Sequence, residues 1–163
     1  MYSVGIITSS DKGYCRERKD EGGPLIEKIV KNHGFEVKRY IVLPDEKELL
    51  QQEIIYMSDN LKLNLILTTG GTGFSERDIT PEATLCVIDK NAPGISEAIR
   101  CYSFKITKRA MLSRGVSGIR KKTLIINLPG SPKACEEILN YFLEDLKHGL
   151  DVLQGGVFEC AKE

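Results

Sequence analysis

The residues best suited to chemistry lie in Thr69-Gly-Gly-Thr-Gly-Phe-Ser-Glu-Arg-Asp78-Ile-Thr-Pro-Glu-Ala-Thr84, where three glycines occupy four positions. Glycine has no Cβ. Gly70, Gly71 and Gly73 therefore permit positive φ and let an anion approach backbone N–H groups closely, and the hydroxyls of Thr69 and Thr72 can donate as well. Anion binding is one reading of this spacing; a tight turn after a buried strand is the other, and the residues alone support both. Three further stretches carry acids or exposed amides: Ser9-Ser10-Asp11, Leu43-Pro44-Asp45 and Pro129-Gly130-Ser131-Pro132. Asp45 with Glu48 three residues on has the spacing of a capping box, so a helix cap is its local reading. Asp78 stands two residues before Thr80, the expected N-cap, and is either a turn aspartate or a site acid; Asp11 is a weaker case of the same kind. Ser131 reads as an N-cap with Pro132 at the first helical position, an arrangement that exposes amides and so serves capping and anion binding alike.

Two nucleotide motifs are excluded. No lysine follows the glycines at P-loop spacing, and Gly71-Thr72-Gly73-Phe74-Ser75 runs into Glu76 where the dinucleotide fingerprint needs its third glycine.

The elements that must position these residues follow from hydrophobic periodicity. Ser3 to Thr8, Phe35 to Leu43, Leu63 to Thr69 and Thr123 to Leu128 read as strands. Helices are expected from Pro24 to Gly34, from Pro44-Asp45 to about Leu61, from Thr80 to about Asp89, from Ile95 to Ile106, and from Pro132 to Gly155-Gly156. Lys12 to Gly23 is charged and glycine-punctuated and reads as a mobile surface loop whose charges are solvated. Ala110 to Lys122 reads as a loop of a size that is more often functional than idle. The tail from Val157 is expected to be peripheral.

The 163 residues suit one domain, 1–163. Acidic and basic side chains balance at 23 each, which removes the electrostatic reason to expect nonspecific nucleic-acid or membrane binding. No apolar run approaches the roughly 20 residues of a membrane span and no signal segment is present, so a cytoplasmic location is expected. Five widely spaced cysteines with no Cys-x-x-Cys pair argue against a disulfide framework or a zinc site. Cys86, Cys101 and Cys135 fall in helical patterns, where a free thiol packs as a small apolar group. His33 and His148 fall near expected helix ends without a second ligand at metal-binding spacing.

Strands alternating with helices call for a three-layer α/β fold, a mainly parallel sheet with helices on both faces. In such a sheet the loops leaving the strand carboxyl ends share one rim, where ligands bind. The loops holding Asp11, Asp45, Gly70 to Asp78, and Pro129 to Pro132 should therefore converge, placing phosphate-binding and metal-binding groups together.

The stretch from Thr69 to Thr84 closely resembles the signature of the MogA/MoaB family of molybdenum-cofactor biosynthesis proteins, related to the G domain of gephyrin. The resemblance extends to the Ser10-Asp11 turn, Leu43-Pro44-Asp45, Pro93-Gly-Ile-Ser-Glu-Ala98, Ala110-Met-Leu-Ser-Arg-Gly115 and Leu124-Ile-Ile-Asn-Leu-Pro-Gly-Ser-Pro132. It implies the family fold, commonly as a homotrimer, and a nucleotidyltransferase that uses ATP and Mg2+ to adenylylate molybdopterin for a downstream metal-insertion protein. Asp45 and Asp78 match the family's catalytic and metal-binding acids. Asp11, Thr69, Gly70, Gly71, Thr72, Gly73, Ser113 and Gly115 fall on the substrate side, and Pro129, Gly130, Ser131 and Pro132 on the nucleotide side. A noncatalytic molybdopterin carrier of the MoaB type is the alternative that the resemblance leaves.

Overall fold

The computed structural model describes residues 1–156; the expected tail from Val157, with Cys160, lies outside the described residues. Six strands form one sheet in the order β2-β1-β3-β6-β5-β4. They are β1 (Ser3–Ser9), β2 (Glu36–Leu43), β3 (Leu65–Thr69), β4 (Lys90–Asn91), β5 (Ser117–Arg120) and β6 (Thr123–Leu128). The first three strands and β6 run parallel, while β5 and β4 add an antiparallel edge. Helices α1 (Asp11–Tyr14), α2 (Gly22–Asn32), α3 (Lys47–Ile55), α4 (Thr80–Val87), α5 (Pro93–Ile106) and α6 (Pro132–Gln154) connect them.

Alternation along the strands divides the core in two. Val4, Ile6, Leu65, Leu67, Leu124 and Ile126 pack against α2, α5 and α6, whereas Ile7, Ile66 and Ile125 face α3 and α4. Burying both faces explains why the central strands are nearly continuous apolar runs. Helices therefore cover both faces of a mainly parallel sheet, as the element order requires.

Several local expectations are corrected. Lys12 to Gly23 is not all loop: its first residues belong to α1 and its last two begin α2. Ala110 to Lys122 contains β5, preceded by a 3-10 turn, Lys108–Leu112. Cys86 and Cys101 are exposed, so only Cys135 follows the packing expectation. His33 caps α2, but α6 runs on past His148 to Gln154. Gly34, at φ +81, and Gly155, at φ +96, end α2 and α6 in left-handed conformations as expected.

Candidate active site

Strand order reverses between β1 and β3, since each next crossover goes to opposite sides of β1, and a crevice opens outside the carboxyl ends there. The four rim loops meet at this point. Asp45 joins the first two: its Oδ1 accepts the Ser9 hydroxyl at 2.6 Å and its Oδ2 accepts the Asp11 N–H at 3.0 Å. The Asp45 N–H donates back to Asp11 Oδ1 at 3.0 Å. Asp45 therefore does not cap α3, whose N-cap is Glu46 without a side-chain bond. Arg77 grips Asp11 with two bonds of 2.9 Å, and its guanidinium holds the Asp11 carboxyl below the usual carboxylate range.

The glycine loop is shaped by close approach. Gly70 at φ +90 and Gly71 at φ +65 take conformations that side chains resist. A Cβ at Gly70 would collide with the Ser9 carbonyl oxygen, and one at Gly71 would strike the Thr80 hydroxyl and stand 3.1 Å from Asp45 Oδ1. Gly73 does not share the positive φ; a Cβ there would press on Asp78 Oδ2 at 2.8 Å. Asp45 and Asp78 thus stand against Gly71 and Gly73, two positions apart in the same loop. Asp78 Oδ2 also accepts the Ser75 N–H at 3.0 Å, so a turn aspartate and a rim acid coincide in one side chain.

Hydroxyls fasten the loop to its neighbours. Thr80 is the first residue of α4, with Ile79 as N-cap, so it is not the expected capping residue. Its Oγ1 donates to the Gly70 carbonyl at 3.0 Å. Thr69 donates to the Pro129 carbonyl at 2.7 Å, which commits its hydroxyl hydrogen to the β6 loop instead of an anion. The Cys135 thiol donates to the same carbonyl at 3.0 Å, and burial pushes its pKa up to about 11. Ser131 caps α6 through Ala134 N–H, as expected.

Sequence reasoning missed Arg114, between the candidates Ser113 and Gly115. Its guanidinium donates to the carbonyls of Gly73 (2.7 Å) and Asp78 (2.9 Å) and pairs with Glu82, and its N–H donates to Thr72 O at 2.8 Å. These bonds tie three loop carbonyls to one residue. Ser113 and Gly115 are brought to the glycine loop by this neighbour, and the signal available was its place inside the Ser-Arg-Gly stretch.

Two clefts flank the junction. The first, about 310 Å³, lies between Ser9 and Ser10, Thr69 and Gly70, and Gly130 and Pro132, with Thr8, Gly13 and residues 18–22 completing its wall. The second, about 320 Å³, is lined by Asp45, Glu46, Lys47, Glu48, Glu76, Arg77 and Ile79. Asp45 faces the second cleft and its partner Ser9 the first, so their hydrogen bond separates the two. Of the candidates, Thr69, Gly70, Gly130 and Pro132 line the first cleft and Asp45 the second, whereas Asp11, Gly71 to Gly73, Asp78, Ser113, Gly115, Pro129 and Ser131 line neither.

Residues 5–148 match the family described as "Probable molybdopterin binding domain". The chain belongs to this family. Among its relatives, the molybdopterin adenylyltransferase of Helicobacter pylori strain J99 is 36% identical over 158 residues, which cover 96% of this chain and 90% of that protein. The molybdenum cofactor synthesis protein cinnamon of Drosophila melanogaster is 41% identical over 153 residues, 93% of this chain, but this chain spans only 25% of cinnamon. A crystal structure of the molybdopterin biosynthesis enzyme MoaB from Thermus thermophilus superposes with a TM-score of 0.90 at 44% identity, covering 95% of this chain and 98% of that one.

Proposed function

We infer that the chain is a molybdopterin adenylyltransferase, transferring AMP from ATP to the terminal phosphate of molybdopterin with release of pyrophosphate, in molybdenum cofactor biosynthesis. The observation that carries this is the near end-to-end correspondence with an adenylyltransferase of similar length. In this reaction an oxygen of the molybdopterin phosphate bonds to the α-phosphorus of ATP as the α–β bridging bond breaks. No protein nucleophile is needed, and the protein's work is positioning and charge control.

Asp45 and Asp78 are the catalytic acids in this proposal. The glycine loop, with Asp11, Ser113 and Gly115, holds the molybdopterin side, and Pro129 to Pro132 the nucleotide side. Support comes from the bonds that make these parts one unit: Ser9 to Asp45, Thr80 to Gly70, and Thr69 to Pro129.

Mg2+ suits the donor set. That ion takes one or two carboxylates and completes its shell with phosphates and water, and the Asp45 and Asp78 carboxylates both stand against the glycine loop, at Gly71 and Gly73. Asp45 and Asp78 would hold it, and when bound it would neutralise charge on the phosphates. Delivery of the product to a metal-insertion protein, a cytoplasmic location and a homotrimeric state complete the reading. For the last, support comes from the exposed side chains of Phe104, Ile106, Met111 and Leu112 in one short stretch. No helix among the described residues is long and apolar enough to cross a membrane.

A noncatalytic molybdopterin carrier is the alternative. Incubation with ATP, Mg2+ and molybdopterin decides: pyrophosphate release is expected, and tight pterin binding without it would establish the carrier instead.

A further inference from the structure

One wall of the first cleft is left unused by the glycine loop and the acids. After α1 the chain reverses at Arg16, which takes a left-handed conformation at φ +61, and the N–H groups of Glu17 and Arg18 both donate to Lys12 O. This reversal returns Arg18 and Lys19 to the cleft. Arg18 Nη2 donates to the Ser10 hydroxyl at 3.2 Å. Neither cation is paired with a carboxylate among the described residues.

Asp20 holds this segment. Its Oδ1 accepts the N–H groups of Gly22 (2.9 Å) and Gly23 (3.2 Å), and its Oδ2 accepts the hydroxyls of Thr8 (2.6 Å) and Tyr40 (2.5 Å). One carboxylate thereby ties the wall to β1, β2 and the start of α2. A Cβ at Gly23 would run into both the Tyr40 ring and Asp20, so the packing there is close. The arrangement also has an electrostatic result. The first amides of α2 are taken up by Asp20, so the cations offered to the cleft are Arg18 and Lys19, set against the Glu21 carboxylate on the same wall.

We propose that Arg18 and Lys19 bind the β- and γ-phosphates of ATP in this cleft, with Asp20 as the positioning residue that holds them there. The proposal rests on the adenylyl-transfer reading. Contacts to these phosphates bind ATP and also offset the charge that collects on pyrophosphate as it departs with the bridging oxygen and its electron pair.

The test is calorimetric titration of the full chain with ATP, AMP and inorganic pyrophosphate, alongside the KM for ATP in the pyrophosphate-release assay. Both cations are exposed, so an Arg18→Gln/Lys19→Gln protein should fold normally. Its affinity for ATP and pyrophosphate is expected to fall about tenfold, with AMP little changed because AMP lacks the phosphates in question. Unchanged ATP affinity, or equal losses for ATP and AMP, would overturn the proposal. Asp20→Ala retains both cations but frees the wall, and is expected to lower ATP affinity in the same direction. Wild-type ATP affinity in a folded Asp20→Ala protein would remove Asp20 from its role. If that variant does not fold, Tyr40→Phe, which deletes one bond at an edge strand, decides the same point by a smaller loss or by none. Binding is read separately from turnover. A wild-type chain that binds ATP through Arg18 and Lys19 yet releases no pyrophosphate would overturn adenylyl transfer alone, whereas normal turnover with an unchanged ATP KM in the double variant would overturn this proposal alone.

Discussion

Asp78 accepts a backbone N–H through Oδ2 and makes no side-chain bond through Oδ1 among the described residues. An Asp78→Asn side chain can keep the accepted bond while losing the charge, so circular dichroism should be unchanged while pyrophosphate release falls about a hundredfold or more. Wild-type turnover in that variant would remove Asp78 from catalysis. The loop glycines give a contrast in stability. Gly70→Ala forces a Cβ onto the Ser9 carbonyl at positive φ and is expected to cost about 1–3 kcal/mol in denaturant unfolding. Gly94→Ala, in α5 with open space around it, should be neutral or stabilising by about 0.4–1 kcal/mol. Equal losses at both positions would show that crowding at Gly70 is not the cause. The glycines were legible because their spacing is local. The local reading of Asp45 as a cap fails for the same reason: Asp-x-x-Glu is a near-neighbour signal, whereas its partner Ser9 is 36 positions away.

Elements with strong periodicity were legible, and those made by pairing were not. β4 has two residues and β5 contains Ser117 and Gly118, so neither carries an apolar alternation; each exists because it pairs with its neighbour. Gly118 is required where β4 passes, since a Cβ would press on Lys90 O and Ile88. The π-helical turn Tyr56–Asn60 after α3 was likewise invisible. It carries Asp59, which receives bonds of 2.9 and 2.7 Å from Arg120 of β5. Arg120 first, then Lys121, pull the Asp59 carboxyl down to about 2 from an ordinary 3.8. A folded value below the unfolded one means that the ionised pair favours the fold above about pH 4, and that this contribution is lost as pH falls towards 2. Wild type should therefore exceed Arg120→Leu in thermal midpoint at neutral pH, with the gap narrowing between pH 4 and 2. A gap that stays constant through that window would rule out the ion pair as its source.

At the scale of the molecule, the proposed homotrimer needs an apolar contact, and Phe104, Ile106, Met111 and Leu112 are exposed apolar groups that could make it. Sedimentation equilibrium is expected to give three chain masses, and Phe104→Asp with Met111→Asp should shift it towards one; a wild-type chain sedimenting as a monomer would sink the trimer. The alternation of strands and helices, the convergence of the strand-end loops and the glycine-loop signature are written in near-neighbour spacing and in the rule that parallel strands need crossovers, so residue order alone carries them. Which side chains meet on the rim is a matter of the folded chain: Ser9 with Asp45, Arg77 with Asp11, Arg114 with the carbonyls of the glycine loop, and Asp20 with β1, β2 and α2. Those pairings depend on strand order and on distances of a few ångströms between residues remote in the chain, and no local pattern of residue types encodes them.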